Sequence, residues 1–145
     1  MTYSDNNTEQ KVVMVSGGFD PVHVGHLRMF EEASRLGTSL IVVLNCDDWL
    51  TRKKGKAFMS QTERKELIEG FRCVDRVEIL QSDHDHVCEA LRKYRPDVFA
   101  NGGDRKSDNT PEYRVCASLK IEMAFDVGHG GKVQSSSEML KNYNG

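Results

Sequence analysis

Ser16-Gly17-Gly18-Phe19-Asp20-Pro21-Val22-His23-Val24-Gly25-His26 is the stretch on which the reading of this chain turns. Before it stands Lys11-Val12-Val13-Met14-Val15, an apolar run of the kind that forms a buried strand, and after it Leu27 to Leu36 has the make-up of a helix. Two glycines at a strand end present the backbone without a Cβ in the way of a ligand. The helix beyond directs unpaired N–H groups and the positive end of its dipole at the same space. Such a place suits phosphate. His23 and His26, three residues apart on the first turn, share a face and can reach one anion.

Working outward, Leu27, Phe30, Ala33 and Leu36 form an apolar stripe fit to pack on a sheet, and Gly37 is a natural stop. Leu40-Ile41-Val42-Val43-Leu44 is continuously apolar, as a strand covered on both faces should be. Two such strands joined by a helix predict a right-handed βαβ unit and a parallel sheet. Asn45 to Leu50 then leads into a cationic segment holding Arg52, Lys53, Lys54 and Lys56, read as a loop leaving the carboxyl end of a strand. Open α/β sheets bind ligands at that end, and phosphate groups call for positive charge there.

Ser60-Gln61-Thr62-Glu63 is a capping-box pattern opening a helix with Leu67, Ile68 and Phe71 as its apolar face. Arg64 in its first turn is either a surface cation or a binder of a ligand's phosphate, for which a planar fork is suited. A third strand is predicted at Val77–Leu80, and a helix where Val87, Ala90, Leu91 and Tyr94 recur at helical spacing. His84-Asp85-His86 is not read as a metal site, because residues two apart on a helix face opposite ways. A fourth strand at 96–100 ends in Asn101-Gly102-Gly103-Asp104, a second glycine turn, which suggests a nucleotide lying across both. A short helix over 112–120 and a last strand over 121–127, at an edge, follow. Ser135 and Glu138 fit a further helix cap, where hydroxyls of Ser135 and Ser136 and nearby amides could hold phosphate oxygens. The glycine loop before it would let His129 or Lys132 close over them.

The strand–helix alternation predicts one doubly wound α/β domain over 11–145, preceded by a polar tail over 1–10 without a signal peptide's apolar core. A net charge of −2 gives no global argument for a nucleic-acid partner, and no run is long and apolar enough to span a membrane. Cys46, Cys73, Cys88 and Cys116 are widely spaced, which argues against zinc or a disulfide framework and for reduced thiols in the cytoplasm.

The His-x-Gly-His string after a strand and a Gly-Phe-Asp-Pro turn resembles the signature of the cytidylyltransferase-like nucleotidyltransferase superfamily. The likeness extends in order through Lys53-Lys54-Gly55-Lys56, Glu63-Arg64, Pro96–Phe99, Gly102-Gly103-Asp104 and the serine run. It points to the small branch of glycerol-3-phosphate cytidylyltransferases and heptose-1-phosphate adenylyltransferase domains, and Lys54-Gly55 and Gly-Gly-Asp look closer to the latter. The resemblance implies a Rossmann-like, five-stranded parallel sheet and frequent homodimers. It implies transfer of AMP or CMP from ATP or CTP to a sugar or polyol phosphate, with release of pyrophosphate. His23 and His26 would contact the reacting phosphates, with Lys53, Lys54 or Lys56 on the phosphate chain and Lys54 counted with the catalytic set. Gly17, Gly18, Phe19, Asp20 and Gly25 would border the nucleotide, as would Asn101, Gly102, Gly103 and Asp104 on the base and ribose side. Ser135 and Ser136 would sit beneath the triphosphate, and Arg64 would meet the acceptor.

One departure stands out: the Arg-Thr-x-Glu-Gly element of the cytidylyltransferases is replaced by His129-Gly130-Gly131-Lys132-Val133-Gln134, which leaves Lys132 as the substitute cation and the choice between ATP and CTP open. Magnesium is expected to arrive on the substrate phosphates, with no protein metal site. Other acceptors (a pantetheine phosphate, a mononucleotide or FMN) are the alternatives within enzymes. A non-catalytic nucleotide-binding module is the alternative outside them.

Overall fold

The computed structural model describes residues 10–81, 87–102 and 110–128. Within them lie five parallel strands, β1 (Val12–Gly17), β2 (Ser39–Asn45), β3 (Arg76–Leu80), β4 (Val98–Ala100) and β5 (Glu122–Ala124). Their order across the sheet is β3-β2-β1-β4-β5. The helices are α1 (Val24–Ser34), α2 (Asp47–Lys54), α3 (Gln61–Glu69), α4 (Cys88–Tyr94) and α5 (Pro111–Leu119). This is the doubly wound, Rossmann-like architecture, with β3 and β5 at the edges.

Alternation along the strands explains the layers. Val13, Val15, Leu40, Val42, Leu44, Val98 and Ala100 face one side, where they pack with Phe30 and Ala33 of α1 and Ile68 of α3. Met14, Ile41, Val43 and Phe99 face the other, against Ala90 and Leu91 of α4 and Val115 and Cys116 of α5. Both faces of the central strands are covered, which is why β1 and β2 are apolar without a break.

At the amino ends of the strands two aspartates do the same work. Asp97 accepts from the amide of Val12 and Asp75 from that of Leu40, each at 2.8 Å. Each aspartate's own amide returns a bond to that residue's carbonyl. Gly37 lies so close beneath the carbonyl of Lys11 that a Cβ would collide with it.

Two expectations need correction. The cationic segment is not a loop: Asp47–Lys54 is helix α2, with Asp47 and Asp48 in its first turn, Arg52, Lys53 and Lys54 in its last, and Gly55 ending it at φ +96°. That charge order matches the helix dipole, and only Leu50 is buried, so there is no apolar stripe to announce a helix. In α3, Leu67 is exposed, and Arg64 joins Ile68 on the buried face.

The winding reverses between β1 and β4. β2 and β3 are laid down to one side of β1, and β4 and β5 to the other. A crevice opens at such a switch point outside the carboxyl ends of the strands. The histidine turn after β1 and the Asn101-Gly102 turn after β4 border it together.

Candidate active site

α1 begins with an unusual cap. His23 is its N-cap residue, in extended conformation, and its Nδ1 accepts the amide of Gly25 at 3.1 Å. His26, at the third helical position, returns the favour: its Nδ1 accepts the amide of His23 at 3.2 Å. This is a capping box in which two imidazoles replace the usual hydroxyl and carboxylate. An amide can only donate, so each Nδ1 must carry a lone pair, and in the neutral ring the proton sits on Nε2. The rings stack, with centroids 3.8 Å apart and planes at 22°. Burial, then the neighbouring His23, push the pKa of His26 down to about 3. With both Nδ1 atoms accepting, the remaining nitrogen of each ring, Nε2, is the one that carries a proton, at a helix N-terminus.

Below the pair the support is aromatic. Phe19 meets His26 edge-on at 4.9 Å and Phe30 at 5.2 Å. Its side chain is buried, so Phe19 underpins the histidines. The glycines before it serve the same packing: a Cβ on Gly17 would lie 3.1 Å from the Phe19 ring, and one on Gly18 would lie 3.0 Å from Leu50. The room they leave is filled by the protein's own side chains. The amide of Gly25 is likewise engaged, by His23.

Asp20 and Arg64 also depart from expectation. The Asp20 carboxylate is buried and accepts the amides of Phe58 (2.7 Å) and Met59 (2.6 Å), with Lys54 Nζ at 3.1 Å. Both of its oxygens are engaged inside the protein. Arg64 is fully buried and is not a surface cation. Its guanidinium donates to the carbonyls of Met59, Gly18 and Asn45 and to the carboxylate of Asp47.

Among the candidate lysines, Lys54 is brought to the histidine turn, where Nζ donates to the Asp20 carbonyl at 2.9 Å. Lys53 lies over the Trp49 ring, 5.6 Å from its centroid, and Lys56 is exposed just beyond Gly55. On the far side of the crevice Asn101 is fixed to the next strand, its amide donating to Ala124 and its carbonyl accepting from Val127. A Cβ on Gly102 would lie 2.9 Å from Met29 Sδ, so this turn closes tightly on α1. Gly103, Asp104, Lys132, Ser135 and Ser136 lie outside the described residues, as do His129 and the 84–86 triplet. Met59, Phe58 and Asp47 were not singled out by sequence. Their part here is through backbone groups and one carboxylate, which leave no pattern.

Among the described residues no three His, Cys, Asp or Glu side chains gather to hold a metal ion, and no helix is long and apolar enough to cross a membrane. Residues 14–131 match the cytidylyltransferase-like family. The bifunctional protein HldE of Syntrophotalea carbinolica is 35% identical over 125 residues, 85% of this chain but 23% of that protein. The chain thus spans about a quarter of the length of that relative. The FAD synthase of Ferroglobus placidus is 34% identical over 98 residues, 68% of this chain and 62% of the relative. Among solved structures, a lipopolysaccharide core biosynthesis protein from Thermoplasma volcanium superposes with a TM-score of 0.67 at 27% identity, over 81% of this chain and 94% of the other. With the match covering the sheet, the histidine turn and α2 alike, the chain belongs to the cytidylyltransferase-like family of nucleotidyltransferases.

Proposed function

We propose that this protein transfers a nucleoside monophosphate, AMP or CMP, from the triphosphate to a small phosphorylated acceptor, a sugar phosphate foremost, and releases pyrophosphate. The observation that carries this reading is the mutual capping of His23 and His26, which commits both Nδ1 atoms as acceptors and puts the rings' protons on Nε2 at a helix N-terminus beside the switch point. The HldE relatives support a sugar-phosphate acceptor.

The chemistry needs no covalent enzyme intermediate. An oxygen of the acceptor phosphate, ionised near neutral pH, attacks the α-phosphorus. The bond from that phosphorus to the bridging oxygen breaks, and pyrophosphate leaves with the electron pair. Catalysis is then positioning and charge stabilisation. The two imidazoles donate to the oxygens of the reacting phosphate as charge builds there, and the dipole of α1 adds to them. Lys54, fastened beside the turn, supplies positive charge to the phosphate chain. Magnesium enters as part of the nucleotide substrate, since the carboxylate of the turn, Asp20, is already engaged.

A second reading, a flavin mononucleotide acceptor, is favoured by the FAD synthase relative. The test is pyrophosphate release from ATP and from CTP, each with magnesium, against sugar phosphates, polyol phosphates and FMN. Release that depends on one phosphorylated acceptor class supports an enzyme and identifies the class. Nucleotide binding without release for any acceptor would overturn the transferase reading in favour of a binding module.

A further inference from the structure

We propose that Arg64 and Asp20 act together as a positioning clamp, holding the histidine turn in register with the cationic end of α2 without touching substrate. The inference rests on the transferase reading, and it concerns two residues that sequence had assigned to ligands.

Each residue is a hub with partners far along the chain. Arg64, from α3, places four hydrogen bonds on three segments: Gly18 after β1 (2.8 Å), Asn45 (2.7 Å) and Asp47 (2.7 Å) at the β2–α2 junction, and Met59 before α3 (3.0 Å). Asp20, two residues beyond Gly18, reaches Phe58, Met59 and Lys54. The hubs meet at Met59, whose carbonyl is held by Arg64 while its amide is held by Asp20. The closed circuit Gly18–Arg64–Met59–Asp20 therefore ties both ends of the Gly18–Asp20 turn to one residue of the α2–α3 connection. Phe19, between those ends, is held at φ +52° with its ring against His26.

This arrangement is a poor way to obtain stability alone. A buried guanidinium loses its hydration, and well-packed apolar groups often serve a core as well or better. What only a planar guanidinium provides is several donors in a fixed fork, able to set three backbone segments at defined spacing. Those segments carry the two candidate catalytic elements, the histidine pair and Lys54. A displacement of about 1 Å at such elements can lower turnover by about 10²-fold.

The experiment compares wild type with Asp20→Asn and Arg64→Lys. In Asp20→Asn one carboxylate oxygen becomes an NH₂ facing an amide donor, so the bond from Phe58 or that from Met59 is lost, and with it the charge beside Lys54, at little change of volume. For each folded variant, kcat and KM for nucleotide are measured through pyrophosphate release, and the histidine ring nitrogens are followed by NMR. Expected is a fall of kcat by about 10²-fold, nucleotide KM within about threefold, and displaced Nδ1 signals for His23 and His26. Unchanged kcat and unchanged histidine signals in folded Asp20→Asn would overturn the clamp. A large rise in nucleotide KM at constant kcat would also overturn it, by making these residues substrate contacts. Should Arg64→Lys not fold, Asp20→Asn alone decides the matter. Should wild type release no pyrophosphate, the transferase reading fails, but the histidine signals still test the clamp.

Discussion

The amide of His23 donates to Nδ1 of His26 at 3.2 Å, while the two rings stack with centroids 3.8 Å apart. The groups proposed to face the reacting phosphate are thus also the groups that start the helix beneath it. Removing either ring changes both the chemistry and the local fold.

His26→Ala is expected to lower pyrophosphate release by about 10²–10³-fold, the usual effect of losing one preorganised donor. It should also lower stability by about 1 kcal/mol, as the loss of a helix cap does. Steady-state kinetics beside urea unfolding separates the two. Turnover near that of wild type would remove the proposed role.

Acid should destabilise the protein through the same residue. Unfolded, His26 takes its proton near pH 6.5, and folded it stays neutral down to about 3. Between those values the unfolded chain binds a proton that the folded chain does not, so stability falls as pH falls, by up to about 1.4 kcal/mol per pH unit. Above 6.5 this residue contributes no slope. Unfolding midpoints at pH 7 and pH 5 should therefore differ more in wild type than in His26→Gln. Equal differences would show that His26 titrates normally.

Gly37→Ala should weaken the fold while leaving the site intact. Its Cβ would collide with the Lys11 carbonyl and approach Val13 Cγ2 to 2.8 Å. That carbonyl already accepts the amides of Thr38 and Ser39, so it has little freedom to move. Overpacking of this kind costs about 1–3 kcal/mol. A lower urea midpoint with unchanged turnover per folded molecule is the expected result.

Asp97→Ala removes the carboxylate that accepts from Val12 at the start of β1, while the backbone bond from residue 97 to the Val12 carbonyl remains. The loss should be about 1 kcal/mol. A midpoint shift without a change in denaturant sensitivity would match, and no shift would show that the bond adds nothing.

Much of this architecture was legible because burial on both faces leaves a simple trace. Val12–Val15 and Leu40–Leu44 can hardly be anything but central strands, and the order of apolar runs and helical stripes leads to a parallel sheet. The histidine pair was legible too, since three-residue spacing at a helix start brings side chains together. α2 was hidden by its charges, which stabilise a helix end but mimic a solvated loop. The burial of Arg64 was not foreseen because a charge within a helix is expected to face water. Yet Arg64, Ile68 and Phe71 fall at i, i+4 and i+7, so the stripe itself was the available signal. Asp20 gave no such hint: its partners are backbone amides 38 and 39 residues away, which any residue types could supply.

The parallel sheet also divides labour between its two poles. Asp75, Asp97 and Gly37 secure one pole, while the histidines, Lys54 and the second glycine turn occupy the opposite one. The first pole can be reinforced or redesigned for thermal tolerance with little risk to turnover. The second allows no such freedom, because there the anchoring bonds and the reactive groups share the same few residues.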